Sequence, residues 1–240
     1  MNIQLDDYLE AYSDDFEFAF DNAIILNWYP TRIIAETPST SRVLELGVGH
    51  GFTCHRFAEH FEHYEVIEGS GAVIESFRSK YSESNAILHE GFFEDFEPSG
   101  KFDVIVMGFV LEHVEEPEFI LRRYRNYLSE NGRVVVAVPN AESLHRRFGH
   151  ESGLLPDIME MGAGDKALGH QRLFTRDTLQ ALMVRCGYTV TASEGIFLKP
   201  FTTGQLKSLD LSNDVLNGMC VVGRDYPELS AALLFEATAS

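Results

Sequence analysis

The run LELGVGHGF, residues 44–52, carries an acid and then glycine at every second position: Glu45, Gly47, Gly49 and Gly51. Where a strand ends in such a run and a helix begins, the helix N-terminus presents free backbone N–H groups, and the missing side chains let a ligand lie against the main chain. The next apolar stretch, YEVIEGS, closes on Glu68. A carboxylate at a strand tip beside a glycine turn can accept hydrogen bonds from both hydroxyls of a ribose. The spacing departs from the G-x-G-x-x-G turn of nicotinamide dinucleotide sites, because position 52 is Phe and the third glycine falls at 51. No Gly-Lys-Ser/Thr follows, which excludes a P-loop. The plain alternative is a glycine-rich turn between strand and helix that holds no ligand.

The histidines are the other group able to do chemistry, since they titrate near neutrality. His55, His60 and His63 read as surface positions on the helix after the glycines and lack an HExxH pattern. His50 sits inside the turn, where it either touches a ligand or caps the helix. His113, in VLEHV, follows a strand and is read equally as a catalytic group or a helix cap. His145, in PNAESLHRRFG, opens an aperiodic stretch, and His170, in GHQRLFT, ends it, as a pocket residue or as a tie to the following helix. The three cysteines, Cys54, Cys186 and Cys220, lie far apart with no CxxC pair, so neither a disulfide frame nor a metal site is expected.

These residues need elements to position them. Residues 3–36 are helical in character, with Tyr8, Tyr12, Phe16, Phe20 and Ile24 recurring at helical steps; Pro30 interrupts and TPST, residues 37–40, closes the segment. Trp28 and Tyr29, and Arg32 with its charge, stand just ahead of the first strand. Strand-like RVLELG, HYEVIEGS, AILHEG, FDVIVMG and GRVVVAVPN then alternate with amphipathic stretches 52–62, 71–81 and 117–129. That rhythm predicts a parallel sheet covered by helices on both faces. SENGR, residues 129–133, reads as a turn in which Gly132 takes positive φ. Residues 141–170 break the rhythm and read as a lid, with Leu154, Leu155, Ile158, Met159 and Met161 as its adaptable apolar face. TRDTLQALMVRCGY reads as a helix capped by Thr175 and ended by Gly187, and TVTASEGIF and ALLFEATA as closing strands. The domain plan is one unit over 1–240: an N-terminal helical cap at 1–37, a binding core at 38–140, a lid at 141–170 and the rest of the sheet at 171–240.

The bulk numbers narrow the partners. Nineteen basic against 37 acidic residues leave a formal charge of −18, which repels nucleic acid. No apolar run approaches membrane-spanning length, and the acidic N-terminus resembles neither a signal peptide nor a presequence, so a cytoplasmic protein is expected. A homodimer is left open.

Taken together, the motifs resemble those of class I S-adenosylmethionine-dependent methyltransferases, closely over residues 40–140 and loosely elsewhere. VLELGVGHG resembles that family's first motif, EVIEGS its ribose-binding strand end, HEGFFEDF its adenine-flanking segment, FDVIVMGFVLEHVEEPEFIL its fourth-strand motif, and LSENGRVVVAVPN its fifth strand. The resemblance implies an α/β Rossmann-like seven-stranded, mostly parallel sheet whose last strand is antiparallel. It implies S-adenosylmethionine over the carboxyl ends of the strands. The cofactor would lie against Glu45, Gly47 and Gly49 in the first motif, and against Glu68, Gly69 and Ser70 in the second. Phe92, Phe93 and Met107 would complete its site. Many relatives carry Asp where this chain has Phe92, so the adenine bond would pass to Glu94 or to the backbone at Phe93. His113, His145 and His170 are the implied catalytic candidates toward a small-molecule acceptor, with O-methylation preferred over N or C. A protein substrate and a non-enzymatic binding protein are the alternatives.

Overall fold

The computed structural model describes residues 19–240. The first half runs α1 (Ala19–Ala35), β1 (Arg42–Leu46), α2 (Phe52–His60), β2 (His63–Glu68), α3 (Gly71–Lys80), β3 (Ile87–Glu90), β4 (Phe102–Gly108) and α4 (Pro117–Arg125). The second half runs β5 (Leu128–Pro139), α5 (Leu144–Glu151), α6 (Ala163–Ala167), α7 (Arg176–Arg185), β6 (Tyr188–Ile196), α8 (Thr203–Ser208), α9 (Asn213–Gly223) and β7 (Ala232–Ala239). The strands form one seven-stranded sheet in the order β3-β2-β1-β4-β5-β7-β6. Pairing is parallel through β5, and β7 runs antiparallel to both β5 and β6. The expected sheet, with its antiparallel last strand, is the one observed.

Side-chain alternation explains how one sheet serves two cores. Leu44, Leu46, Ile105, Met107, Val134 and Val136 pack toward α4 and α7. Their chain neighbours Val43, Val104, Val106 and Val135 pack toward α1, α2 and α3. Order reverses between β1 and β4, so the chain leaves the two strands toward opposite sides and opens a crevice at their carboxyl ends.

Several sequence expectations need correction. Pro30 does not interrupt α1, which continues to Ala35. Proline removes the amide that Leu26 would accept, but the Thr53 hydroxyl stands 3.5 Å from that carbonyl, and the Arg56 guanidinium reaches the Asn27 carbonyl beside it. Tyr8, Tyr12 and Phe16 lie outside the described residues. SENGR is not a free turn but part of β5, where the register with β4 shifts between Phe102 and Val104. Gly132 is required there by close approach: a Cβ would stand 2.7 Å from the Phe102 carbonyl oxygen. His63 opens β2 and does not belong to α2. The stretch 141–170 is not wholly irregular, since it holds α5 and α6, neither with a buried residue. α8 and α9 were not anticipated. Thr175 caps α7 by accepting the Thr178 amide, and Gly187 follows it with φ +84°, both as expected.

Candidate active site

Gly47, Gly49 and Gly51 have φ of 85°, 52° and 78°, a conformation that costs other residues dearly. They carry the chain from β1 into α2. A Cβ on Gly49 would meet nothing within 4 Å and would project into a cavity, so the open backbone faces ligand space. Glu68, at the tip of β2, accepts the Val48 amide at 2.9 Å and the Ser70 amide at 2.8 Å. Each carboxylate oxygen keeps a further lone pair for hydroxyls of a ligand. Gly69 and Ser70 also line the cavity, and the Ser70 hydroxyl caps α3 by accepting the Val73 amide at 3.2 Å.

Glu45 lies beneath the turn, 3% exposed, taking the Tyr64 hydroxyl as donor. Burial pushes its carboxyl up to about 8, against the pull of Tyr64. Phe92 is 52% exposed on the cavity wall. Phe93 lines the same wall, while its carbonyl is already taken by the Tyr124 hydroxyl at 3.0 Å. Met107 does not belong to the site. It is fully buried on the α4 and α7 face, and Gly108 and Phe109 form the wall in its place. Tyr29 reaches the wall from α1, so close to Gly108 that a Cβ there would lie 2.3 Å from the Tyr29 hydroxyl. Trp28 does not line the cavity, and Arg32 is held by Glu194 through two 2.9 Å bonds, away from any ligand.

The cavity continues past the glycine turn to a total of about 1500 Å³. Single small-molecule pockets span roughly 300–1,000 Å³, so a nucleoside-sized ligand would leave room for a second molecule. Its wall carries all three histidines singled out in the sequence: His113 from the turn after β4, His145 from α5, and His170 before α7. His50 also lines it, with its Nε2 3.4 Å from the Asn22 amide nitrogen, whereas His55 stacks on Tyr81 and His60 faces Thr37. The His113 and His170 rings meet edge to face with centroids 4.8 Å apart. Burial, aided by His170, lowers His113 to about 4; burial, with Lys199 and Arg146, lowers His145 to about 3. Both rings are therefore neutral at pH 7 and offer a lone pair.

The turn that carries His113 starts at Phe109, whose φ of 59° is rare for a bulky residue. Arg172 clamps this turn by donating to the carbonyls of Leu111 and Glu115 at 2.9 Å, and to that of Val114. The Gln171 amide donates to the Glu112 carbonyl at 2.7 Å. Sequence reading missed Glu112, which is 1% exposed on the cavity wall and pushed up to about 8 by burial, Arg172 opposing. It also missed a buried group of Lys199, Asp21 and Thr203, in which Lys199 pairs with Asp21 and the Thr203 hydroxyl donates to Asp21 at 2.6 Å. The adjacency Glu112-His113 was a visible signal for the first; nothing local marks a pair 178 residues apart.

No described helix is long and apolar enough to cross a membrane. Residues 26–193 match the family described as a methyltransferase domain. Among solved structures, an S-adenosylmethionine-dependent methyltransferase from Mesorhizobium loti is similar at 18% identity and TM-score 0.60, over 88% of this chain and 96% of that one. The N-methyltransferase NodS from Bradyrhizobium japonicum, in complex with S-adenosylhomocysteine, aligns at 14% identity and TM-score 0.60, over 98% and 97%. The CcbJ methyltransferase from Streptomyces caelestis aligns at 15% identity and TM-score 0.59, over 88% of each. At such identities these likenesses speak for the fold. No curated protein matches the sequence.

Proposed function

The chain belongs to the methyltransferase-domain family, and from that premise we propose that it methylates a small-molecule acceptor at oxygen, with S-adenosylmethionine as donor. The observation that carries this reading is one continuous cavity lined both by the glycine turn with Glu68 and by His113, His145 and His170. Gly47 and Gly49 would admit the amino-acid portion of the cofactor against the backbone, Glu68 would hold its ribose, and Phe92 would pack on its adenine. The bound cofactor supplies an electrophilic methyl on a sulfonium sulfur.

The protein's task is then alignment and exclusion of water. His113, His145 and His170 line the cavity, and the neutral ring of His145, which burial keeps unprotonated, can take a hydrogen bond from an acceptor hydroxyl. Leu154 and Leu155 of the segment 141–170 line the cavity, which supports the lid reading, whereas Ile158, Met159 and Met161 of the expected apolar face do not line it. A cavity of about 1500 Å³ has space for a small acceptor beside the cofactor, which supports a small-molecule substrate.

Incubation with radiolabelled S-adenosylmethionine and a panel of hydroxylated, amine and protein acceptors tests the proposal. Label on hydroxylated small molecules is expected. Label on amines alone would move the reaction to nitrogen, and label on proteins alone would reject the small-molecule reading.

A further inference from the structure

We infer that Glu112, His113 and His170 bind one divalent transition-metal ion in the cavity, leaving open positions for an oxygen of the acceptor. One ligand atom from each residue lies within 4.8 Å of the others. Ligand atoms sharing one ion at bond lengths of about 2.1 Å stand roughly 3–4 Å apart, so a small inward movement of side chains closes the site.

Glu112 supplies an independent observation. It is 1% exposed, faces the cavity, and neither carboxylate oxygen has a hydrogen-bond partner among the described residues. A buried carboxylate is tolerated when a cation or donors compensate it. Arg172 makes no hydrogen bond to that carboxylate and donates to the carbonyls of Leu111, Val114 and Glu115.

The surroundings of His170 match those of a metal ligand. His170 Nδ1 is held 3.2 Å from Asp165 Oδ1, which leaves Nε2 with its lone pair free to ligate. Imidazole ligands are oriented in this way, by a carboxylate or carbonyl on the second ring nitrogen. The Arg172 clamp and the Gln171 amide bond to Glu112 fix the two chain segments against each other before any ion arrives.

Two imidazole nitrogens and one carboxylate oxygen suit zinc, iron(II), cobalt(II) or nickel(II), not magnesium or calcium, which take mainly oxygen. Three protein ligands leave coordination positions open, as in catalytic sites, and an acceptor hydroxyl bound there would lose its proton more readily. Ion binding stands on the cluster alone; its use in methyl transfer rests on the function proposed above.

The test uses the full chain stripped of metal with a chelator, titrated with Zn²⁺ by calorimetry and with Co²⁺ by visible absorption. One ion per chain is expected. Glu112→Gln and His170→Gln should each weaken binding at least about tenfold, while His63→Ala, at an exposed histidine, should leave it unchanged. No ion bound by the wild type, or equal affinity in folded Glu112→Gln protein, would overturn the inference. S-adenosylhomocysteine titrated into the same samples separates the two readings. Its binding without ion binding sinks only the metal site, and ion binding without it sinks only the cofactor reading.

Discussion

Glu68 and Val48, 20 residues apart, are joined by a 2.9 Å hydrogen bond from the Val48 amide to the Glu68 carboxylate. The acid at the end of β2 thus fastens the glycine turn that follows β1, while also receiving the Ser70 amide at 2.8 Å. One carboxylate shapes the turn and faces the ligand space. Glu68→Ala removes both functions, so S-adenosylhomocysteine affinity should fall about tenfold to a hundredfold, or ~1.4–2.7 kcal/mol. Calorimetry on the folded variant checks this, and an unchanged dissociation constant rejects the ribose role.

Gly49 and Gly51 should respond differently to alanine, although both have positive φ. Each pays about 1–2 kcal/mol for a left-handed alanine. At Gly51 a Cβ would also stand 2.9 Å from Phe77 and 3.2 Å from Tyr81, whereas at Gly49 it would meet nothing. Overpacking of that kind adds ~1–3 kcal/mol. Gly51→Ala should therefore lower the unfolding midpoint more, and Gly49→Ala should weaken cofactor binding more for its loss of stability. Equal effects of both on both measurements would contradict the assignment of Gly49 to the ligand face.

Glu45 makes a pH prediction. Its carboxyl is raised to about 8 by burial, above the ~4.3 of an unfolded chain. Between those values the folded protein keeps a proton that the unfolded protein has lost, so stability is highest below about pH 4.3 from this group. It falls as pH rises toward 8, with a slope of at most ~1.4 kcal/mol per pH unit, and then levels off. In cofactor-free protein, Glu45→Gln should flatten the dependence of denaturation midpoint on pH between 5.5 and 8, becoming relatively more stable at the upper end. Parallel curves for variant and wild type would show that Glu45 is already ionised.

The proposed lid is tested by exchanging residues 151–161 for a Gly-Ser linker of equal length, which retains Asp165 and His170. No residue of 151–161 is buried, so the fold should persist. S-adenosylhomocysteine affinity should stay within about threefold, or ~0.7 kcal/mol. Turnover of the acceptor found in the panel should fall by about a hundredfold or more, because the reacting atoms lose alignment and shielding. Full turnover in the exchanged protein would remove the lid role.

The parts legible in the sequence were those dictated locally. Glycines at 47, 49 and 51 answer a backbone need that other residues meet poorly, and the β–α alternation is written in side-chain periodicity. Met107 was misassigned because its strand alternates faces: a residue near the carboxyl end of β4 can still point into the core. Pro30 and SENGR misled because partners from α2 and β4 compensate local breaks. The Lys199–Asp21 pair and the Arg172 clamp join distant segments, and only the folded chain brings them together.

The central claim, that the glycine turn and Glu68 form a site for S-adenosylmethionine, is tested most directly by calorimetric titration of the wild-type protein with S-adenosylhomocysteine and, separately, with NAD. The account predicts saturable binding of one S-adenosylhomocysteine per chain and no measurable heat from NAD. Binding of NAD with none of S-adenosylhomocysteine would contradict it.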